Sequence, residues 1–168
     1  MEFQSLIKEL ENTSLFNAWR VRVPDAFLAH IFVLLDETNR GTYHVGYYDP
    51  NNERMTTFVV GKGTVDIIED QEVAKAAGAH LQPLDITLVN DTEKKVLQEA
   101  EKIRKEHYAK ALVFKSFYII QAIDDQQVYN ITFMTQDFKT INIKLDMQRE
   151  LISHDCKALA DFISKQPA

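Results

Sequence analysis

The side chains able to do chemistry are scattered along this chain. Five histidines stand at positions 30, 44, 80, 107 and 154, and no pair of them has the spacing of a metal-binding motif. Zinc sites gather nitrogen and sulfur ligands in clusters, and a single cysteine, Cys156, offers little to build one. His30 opens an apolar run and His107 closes the apolar stripe of a helix, so both read as satisfied, partly buried imidazoles. Cys156 lies two residues from His154, which a strand would place on the same face. A nucleophilic thiolate needs an electropositive setting, however, and Asp155 stands between them. Cys156 therefore reads as a small apolar residue leading into a last helix.

The paired carboxylates Glu69-Asp70 and Asp124-Asp125 fall in turn-like or strand-end sequence and read as solvated charge. No glycine-rich phosphate loop, nucleophile elbow or HExxH motif occurs, and Gly61-Lys62-Gly63 is too short to cradle a phosphate. No catalytic residue, metal or cofactor is expected. The residues left are those on one face of two central strands: His44, Gly46 and Tyr48, then Asn130, Thr132 and Met134. Mixed small, polar and aromatic side chains on a sheet face can bind a ligand or partner, with His44, Tyr48, Asn130 and Thr132 as the contact residues. They can equally form a solvated face or an interface between the two halves of the chain.

The elements that would position those residues follow from periodicity. Phe3, Leu6, Ile7 and Leu10 recur at helical spacing up to Glu11, before the turn-like Asn12-Thr13-Ser14. Trp19, Val21 and Val23 alternate with Arg20 and Arg22, predicting a short strand or extended lead-in broken at Pro24. Apolar or alternating runs at 31–35, 43–48 and 56–60 predict a meander with turns at 38–41 and 49–52. A further strand is expected at 64–70 and a short helix at 72–77, closed by Gly78. Asn90 to Glu93 supplies capping residue types for a second helix carrying Val96, Leu97, Ala100 and Ile103 on one stripe. Runs at 117–121, 129–134 and 141–145 then predict a second meander. A strand at 150–154 and a final helix bearing Leu159, Phe162 and Ile163 close the chain.

The second meander echoes the first, with Tyr129 in the place of Tyr43 and Ile143 in that of Phe58, one residue having been lost in the second turn. The organisation expected is a first α+β repeat over 1–70, a connector over 71–90 and a second repeat with a C-terminal helix over 91–168. The connector has no Gly/Ser-rich character, which argues against freely hinged domains. The first strand of each meander, 31–35 and 117–120, is apolar on both faces and calls for cover on both. The helix can cover one face. The other half of the chain is expected to supply the rest, by sheet packing or a shared continuous sheet.

With 45% hydrophobic and 26% charged residues in 168, the chain has the composition of a compact globular protein with a sizeable core. A net charge of −6 argues against a nucleic-acid partner. The start of the sequence shows no basic segment leading into an apolar one, and no run approaches a membrane span, so a cytoplasmic protein away from membranes is expected.

Residues 91–155 resemble the PepSY domain and its cystatin-like relatives. Thr92–His107 is similar to the family's helix, Val128–Phe133 to the first strand of its hairpin, and Ile143–Ser153 to its closing strand, acidic turn and apolar pair. Arg149 stands where the family usually has a glycine before the glutamate, here Glu150. The first half is a looser echo. The resemblance implies an α+β fold of two helix-plus-antiparallel-meander units packed into one body. It also implies a role in inhibiting or modulating other proteins, notably peptidases, and brings no catalytic residues. The function expected is recognition of a protein or peptide through a sheet face or edge. Two alternatives stand beside it: a small-ligand carrier or enzyme with a pocket between helix and sheet, and a structural homo-oligomer joined through a strand edge.

Overall fold

The computed structural model describes residues 2–73 and 80–164, the last three by backbone alone. Its elements are α1 (Phe3–Glu11), α2 (Ser14–Arg22), β1 (Phe27–Leu34), β2 (Tyr43–Asp49), β3 (Arg54–Val60) and β4 (Val65–Glu72), then α3 (Glu93–His107), β5 (Val113–Ile123), β6 (Gln126–Thr135), β7 (Lys139–Leu145), β8 (Leu151–Ala158) and α4 (Leu159–Ser164). The strands form one antiparallel sheet in the order β4-β3-β2-β1-β5-β6-β7-β8. The fold is thus α+β, and the two meanders are joined edge to edge, first strand to first strand.

One cross-strand row defines the core. Phe58, Val45, Ile31, Ile120, Tyr129 and Leu145 lie opposite one another on β3, β2, β1, β5, β6 and β7, and all six are fully buried. Since the side-chain period of a strand is two, this row puts Tyr43 and Tyr47, Tyr118, Ile131 and Phe133, and Ile141 and Ile143 on the same face. Helices α1, α2 and α3 cover that face. α1 buries Phe3, Leu6, Ile7 and Leu10; α3 buries Val96, Ala100 and Ile103.

The stretch before Pro24 is a helix, not the expected strand. Thr13 decides the matter from both sides: its hydroxyl donates to the Leu10 carbonyl (2.7 Å), closing α1, and accepts from the Phe16 amide (3.2 Å), opening α2. Phe16 and Trp19, three residues apart, then fall on one helical face and enter an aromatic cluster with Tyr47 and Phe58, with ring centroids 5.1–5.8 Å apart. Val21, whose alternation with Trp19 resembled a strand, is 82% exposed. The helix gives way at Val23, where the following proline disfavours the helical conformation.

The remaining turns behave as their residues dictate. Asp124 and Asp125 form the two-residue β5–β6 turn with both φ angles positive (49° and 62°), a conformation that short acidic side chains tolerate. Asp49 accepts from the Asn51 amide at 2.9 Å. The expected helix at 72–77 falls, beyond Glu72 and Val73, on residues outside those described; Glu72 itself ends β4 as strand. The connector is tied to the sheet: the Leu84 amide donates to the Leu28 carbonyl (2.8 Å), and Gln82 and Asp85 bond Asp125 and Gln127 of the β5–β6 hairpin. It includes a 3-10 turn, Ile86–Leu88. The expected final helix is present as α4; the side chains of Phe162 and Ile163 lie outside the described residues.

Among the described residues no second layer covers the far side of the strands that needed cover on both faces. Joining edge to edge extends the sheet and shields nothing on its far side, so Phe32, Phe117 and Ile119 remain half-buried there.

Truncating the central row tests this account. Ile120→Ala should lower unfolding free energy by about 2–5 kcal/mol in urea titration, because a fully buried site between paired strands cannot collapse. Val21→Ala, on the exposed side of α2, should stay within about 0.5 kcal/mol of wild type.

Candidate binding face and cavity

The far side of the sheet has two ordered rows. His44, Phe32, Ile119, Asn130 and Lys144 lie opposite one another across β2, β1, β5, β6 and β7. Leu34, Phe117, Thr132, Asn142 and Asp155 form the next row, reaching β8. The centre is apolar and aromatic: Phe32 meets Phe117 at 5.5 Å between centroids and His44 edge-on at 5.8 Å. The β6–β7 side is polar, with Asn142 donating from Nδ2 to Asn130 Oδ1 (2.6 Å) and Thr132 Oγ1 (3.1 Å).

The four predicted contact residues therefore share a face without forming one cluster. His44 and Asn130 stand in the same row, both half-buried, with Phe32 and Ile119 between them. Thr132 is buried beneath the Asn142 amide. Tyr48 is buried at one end of β2, edge-on to Phe27 (5.6 Å), in a small cluster with Ala29, Met55 and the connector's Leu81. It acts as packing there. Phe32, Phe117 and Ile119, which occupy the middle of the face, belong to the runs 31–35 and 117–120, whose apolar residues at every position imply cover on both sides. The signal that could have found them is the count of apolar faces: the helices can cover only one side of a continuous sheet.

His30 is part of the same face. A Cβ at Gly46 would overlap the His30 ring, so glycine is what admits the imidazole over β2. Burial, reinforced by the neighbouring His44, pulls the His30 pKa down to about 4, and burial also lowers that of His44. His30 is thus the neutral, packed histidine expected from its position.

On the helix side, a cavity of about 610 Å³ opens beyond the C-terminus of α3, between the 107–112 segment and β6–β8. Its lining includes Tyr108, Lys110, Leu112, Thr135, Ile141 and Cys156. At its edge the His107 and His154 rings stack at 4.1 Å, and the Tyr108 hydroxyl bonds His154 Nδ1 at 2.8 Å. Burial, then the charges of Cys156 and Asp155, raise the Tyr108 pKa. His154 and Cys156 share this side of β8, as their spacing predicts, and Cys156 is exposed. Among the described residues no group of three histidine, cysteine or acidic side chains is placed to hold a metal, and no helix is long and apolar enough to cross a membrane.

No family model and no curated protein matches this chain. The structure is similar to the crystal structure of a protein from Clostridium difficile 630 whose name reads "putative lipoprotein". The TM-score is 0.54 at 18% identity, over 85% of this chain and 90% of that one. The likeness is one of fold.

The depressed His30 pKa gives a pH signature. Between about pH 6.5 and 4 the unfolded chain binds a proton at this site that the folded protein refuses, so stability falls as pH drops through that window. His30→Gln should remove about 2–3 kcal/mol of the pH 7 to pH 4 loss measured by denaturant unfolding. An unchanged profile would show that the imidazole accepts protons freely in the fold.

Proposed function

We propose that this protein is a non-enzymatic binding or regulatory protein that recognises a protein or peptide through the uncovered face of its sheet. The observation that carries the reading is the half-exposed apolar centre, Phe32, Phe117 and Ile119, rimmed by His44 on one side and by Asn130, Asn142 and Lys144 on the other. An apolar centre with a polar rim is the anatomy of a recognition surface. The aromatic pair Phe32–Phe117 supplies rigid contact area of the kind that dominates interface energies.

The reading extends to a tandem of PepSY-like units. The strand order supports it: β1–β4 and β5–β8 are each a four-stranded meander preceded by helix, joined through their first strands. The closing turn also supports it. Arg149 holds φ at +66°, the conformation that favours glycine, so the backbone form expected of the family's glycine is kept. Asp146 accepts from the Gln148 and Glu150 amides at 2.8 and 2.9 Å to close that turn, and Arg149 pairs with Asp91 at the head of α3.

A second reading, a small-ligand carrier, is favoured by the 610 Å³ cavity, whose volume suits a drug-sized molecule. A compound that fits there should raise the melting temperature of wild type and leave Ala111→Trp, which fills the cavity, unshifted.

Affinity capture with Phe117→Asp and, as a control, Lys102→Ala on the helix side tests the sheet-face reading. A protein retained by wild type and the control, and lost with Phe117→Asp at unchanged melting temperature, is the expected result. A partner retained equally by all three would discard this face.

A further inference from the structure

The two ends of the sheet are built differently. β4 is a guarded edge: its pairing with β3 is irregular between Met55 and Thr57, Asp70 sits there at φ +54°, and Asp66, Glu69, Asp70 and Glu72 line it. Bulges and charge of one sign are the devices that keep a sheet edge from pairing with another chain. β8 carries neither device through its second half. The irregularity in its pairing with β7 falls near Leu151 and leaves Ser153 to Ala158 in continuous register. All eight of its residues but His154 are exposed, and the stretch 154–158 holds one acid and one base, Asp155 and Lys157.

A protein of net charge −6 meets its own copy favourably only where the local charge cancels, and β8 is such a place. Symmetry then limits the register. In a two-fold antiparallel pair with both sheet faces continuous, the axis passes through a residue, which faces itself. An axis through Asp155 sets carboxylate against carboxylate, and one through Lys157 sets ammonium against ammonium. An axis through His154 draws the irregular residues near Leu151 into the ladder. An axis through Cys156 sets Asp155 opposite Lys157 twice, with His154 opposite Ala158 and one small thiol facing another.

We propose that a second copy of this chain pairs antiparallel along β8, with the two-fold axis through Cys156 and Asp155 of each copy opposite Lys157 of the other. The intrachain Asp155–Lys157 contact at 3.6 Å becomes part of a four-charge network across the seam. The cavity beside Cys156 then lies next to its symmetry mate. This inference stands independently of the sheet-face reading, because none of Phe32, Phe117 and Ile119 takes part.

Sedimentation velocity of the reduced full chain, from micromolar to near-millimolar concentration, tests it. Wild type should show a monomer–dimer equilibrium. Asp155→Lys, which puts like charges opposite one another twice, should weaken it about tenfold or more. Asp155→Lys combined with Lys157→Asp should restore it. Oxidation with diamide should link wild type through Cys156 into a dimer on non-reducing gels, and the linkage should be suppressed in Asp155→Lys. Every substituted residue is exposed, so thermal midpoints report any loss of folding separately. A wild type that stays monomeric throughout would overturn the proposal. So would a dimer indifferent to Asp155→Lys or not rescued by the charge swap.

Discussion

The structure depends on the pairing of β1 with β5. Ile31 lies opposite Ile120, and both are fully buried because the strands on either side, β2 and β6, continue the same apolar row. Each half alone would be a four-stranded meander whose most apolar strand formed an open edge, exposing unpaired backbone groups beside its largest apolar surface. Pairing the two first strands buries both edges at once and places the greasiest strands at the centre of an eight-stranded sheet. Helix α1 reinforces the seam. Phe3 packs edge-on against Tyr43 of β2 and Tyr118 of β5, at 6.4 and 6.2 Å. Gln4 bonds the connector at Thr87, Val89 and Asn90.

That choice of edge-to-edge assembly fixes what each face of the sheet can be. The helices are held on one side by paired contacts between buried phenols and carboxylates: Tyr47 donates to Glu11 at the end of α1 (2.9 Å), and Tyr118 to Glu93 at the start of α3 (2.7 Å). Burial, with the nearby carboxylate, raises the pKa of both phenols, so each remains a donor across the accessible pH range. With α1–α3 committed there, the far face depends on its own cross-strand contacts and on the connector, whose Leu81 packs against Tyr48 and Met55. The half-buried aromatic centre is therefore a consequence of topology, and its polar flanks keep it from being a continuous greasy sheet.

Much of this was legible in the residues. The 3.6-residue stripe of Phe3, Leu6, Ile7 and Leu10 and the capped stripe from Val96 to Ile103 specify α1 and α3. The alternation of Tyr43, Val45 and Tyr47 specifies which side of β2 meets the helices. Two features resisted reading. Trp19, Val21 and Val23 alternate like a strand, and it is the dual role of Thr13 as a cap, a contact between successive helices, that starts the helix holding Trp19 and Val21. The exposure of Phe32, Phe117 and Ile119 was hidden for a different reason. A strand apolar on both faces reads as buried on both, and whether a second layer exists is decided by how the halves associate, which local periodicity does not encode.

The same physics separates the sheet's two kinds of unsatisfied surface. On the far face the side chains are incompletely covered while the backbone of the inner strands is paired, so an occupant there gains area and shape and few directional bonds. Along residues 153–158 of β8 the situation is reversed: the side chains are small, polar or charged, and what remains open is the outward row of backbone donors and acceptors. An occupant of that edge is selected by register and by the placement of charge, and much less by apolar area. A chain that guards β4 with a bulge and four carboxylates yet leaves residues 153–158 of β8 regular and charge-balanced has treated its two edges unequally. The proposed strand-edge association and the proposed recognition face are therefore separable, since the first turns on Asp155 and Lys157 and the second on Phe32 and Phe117.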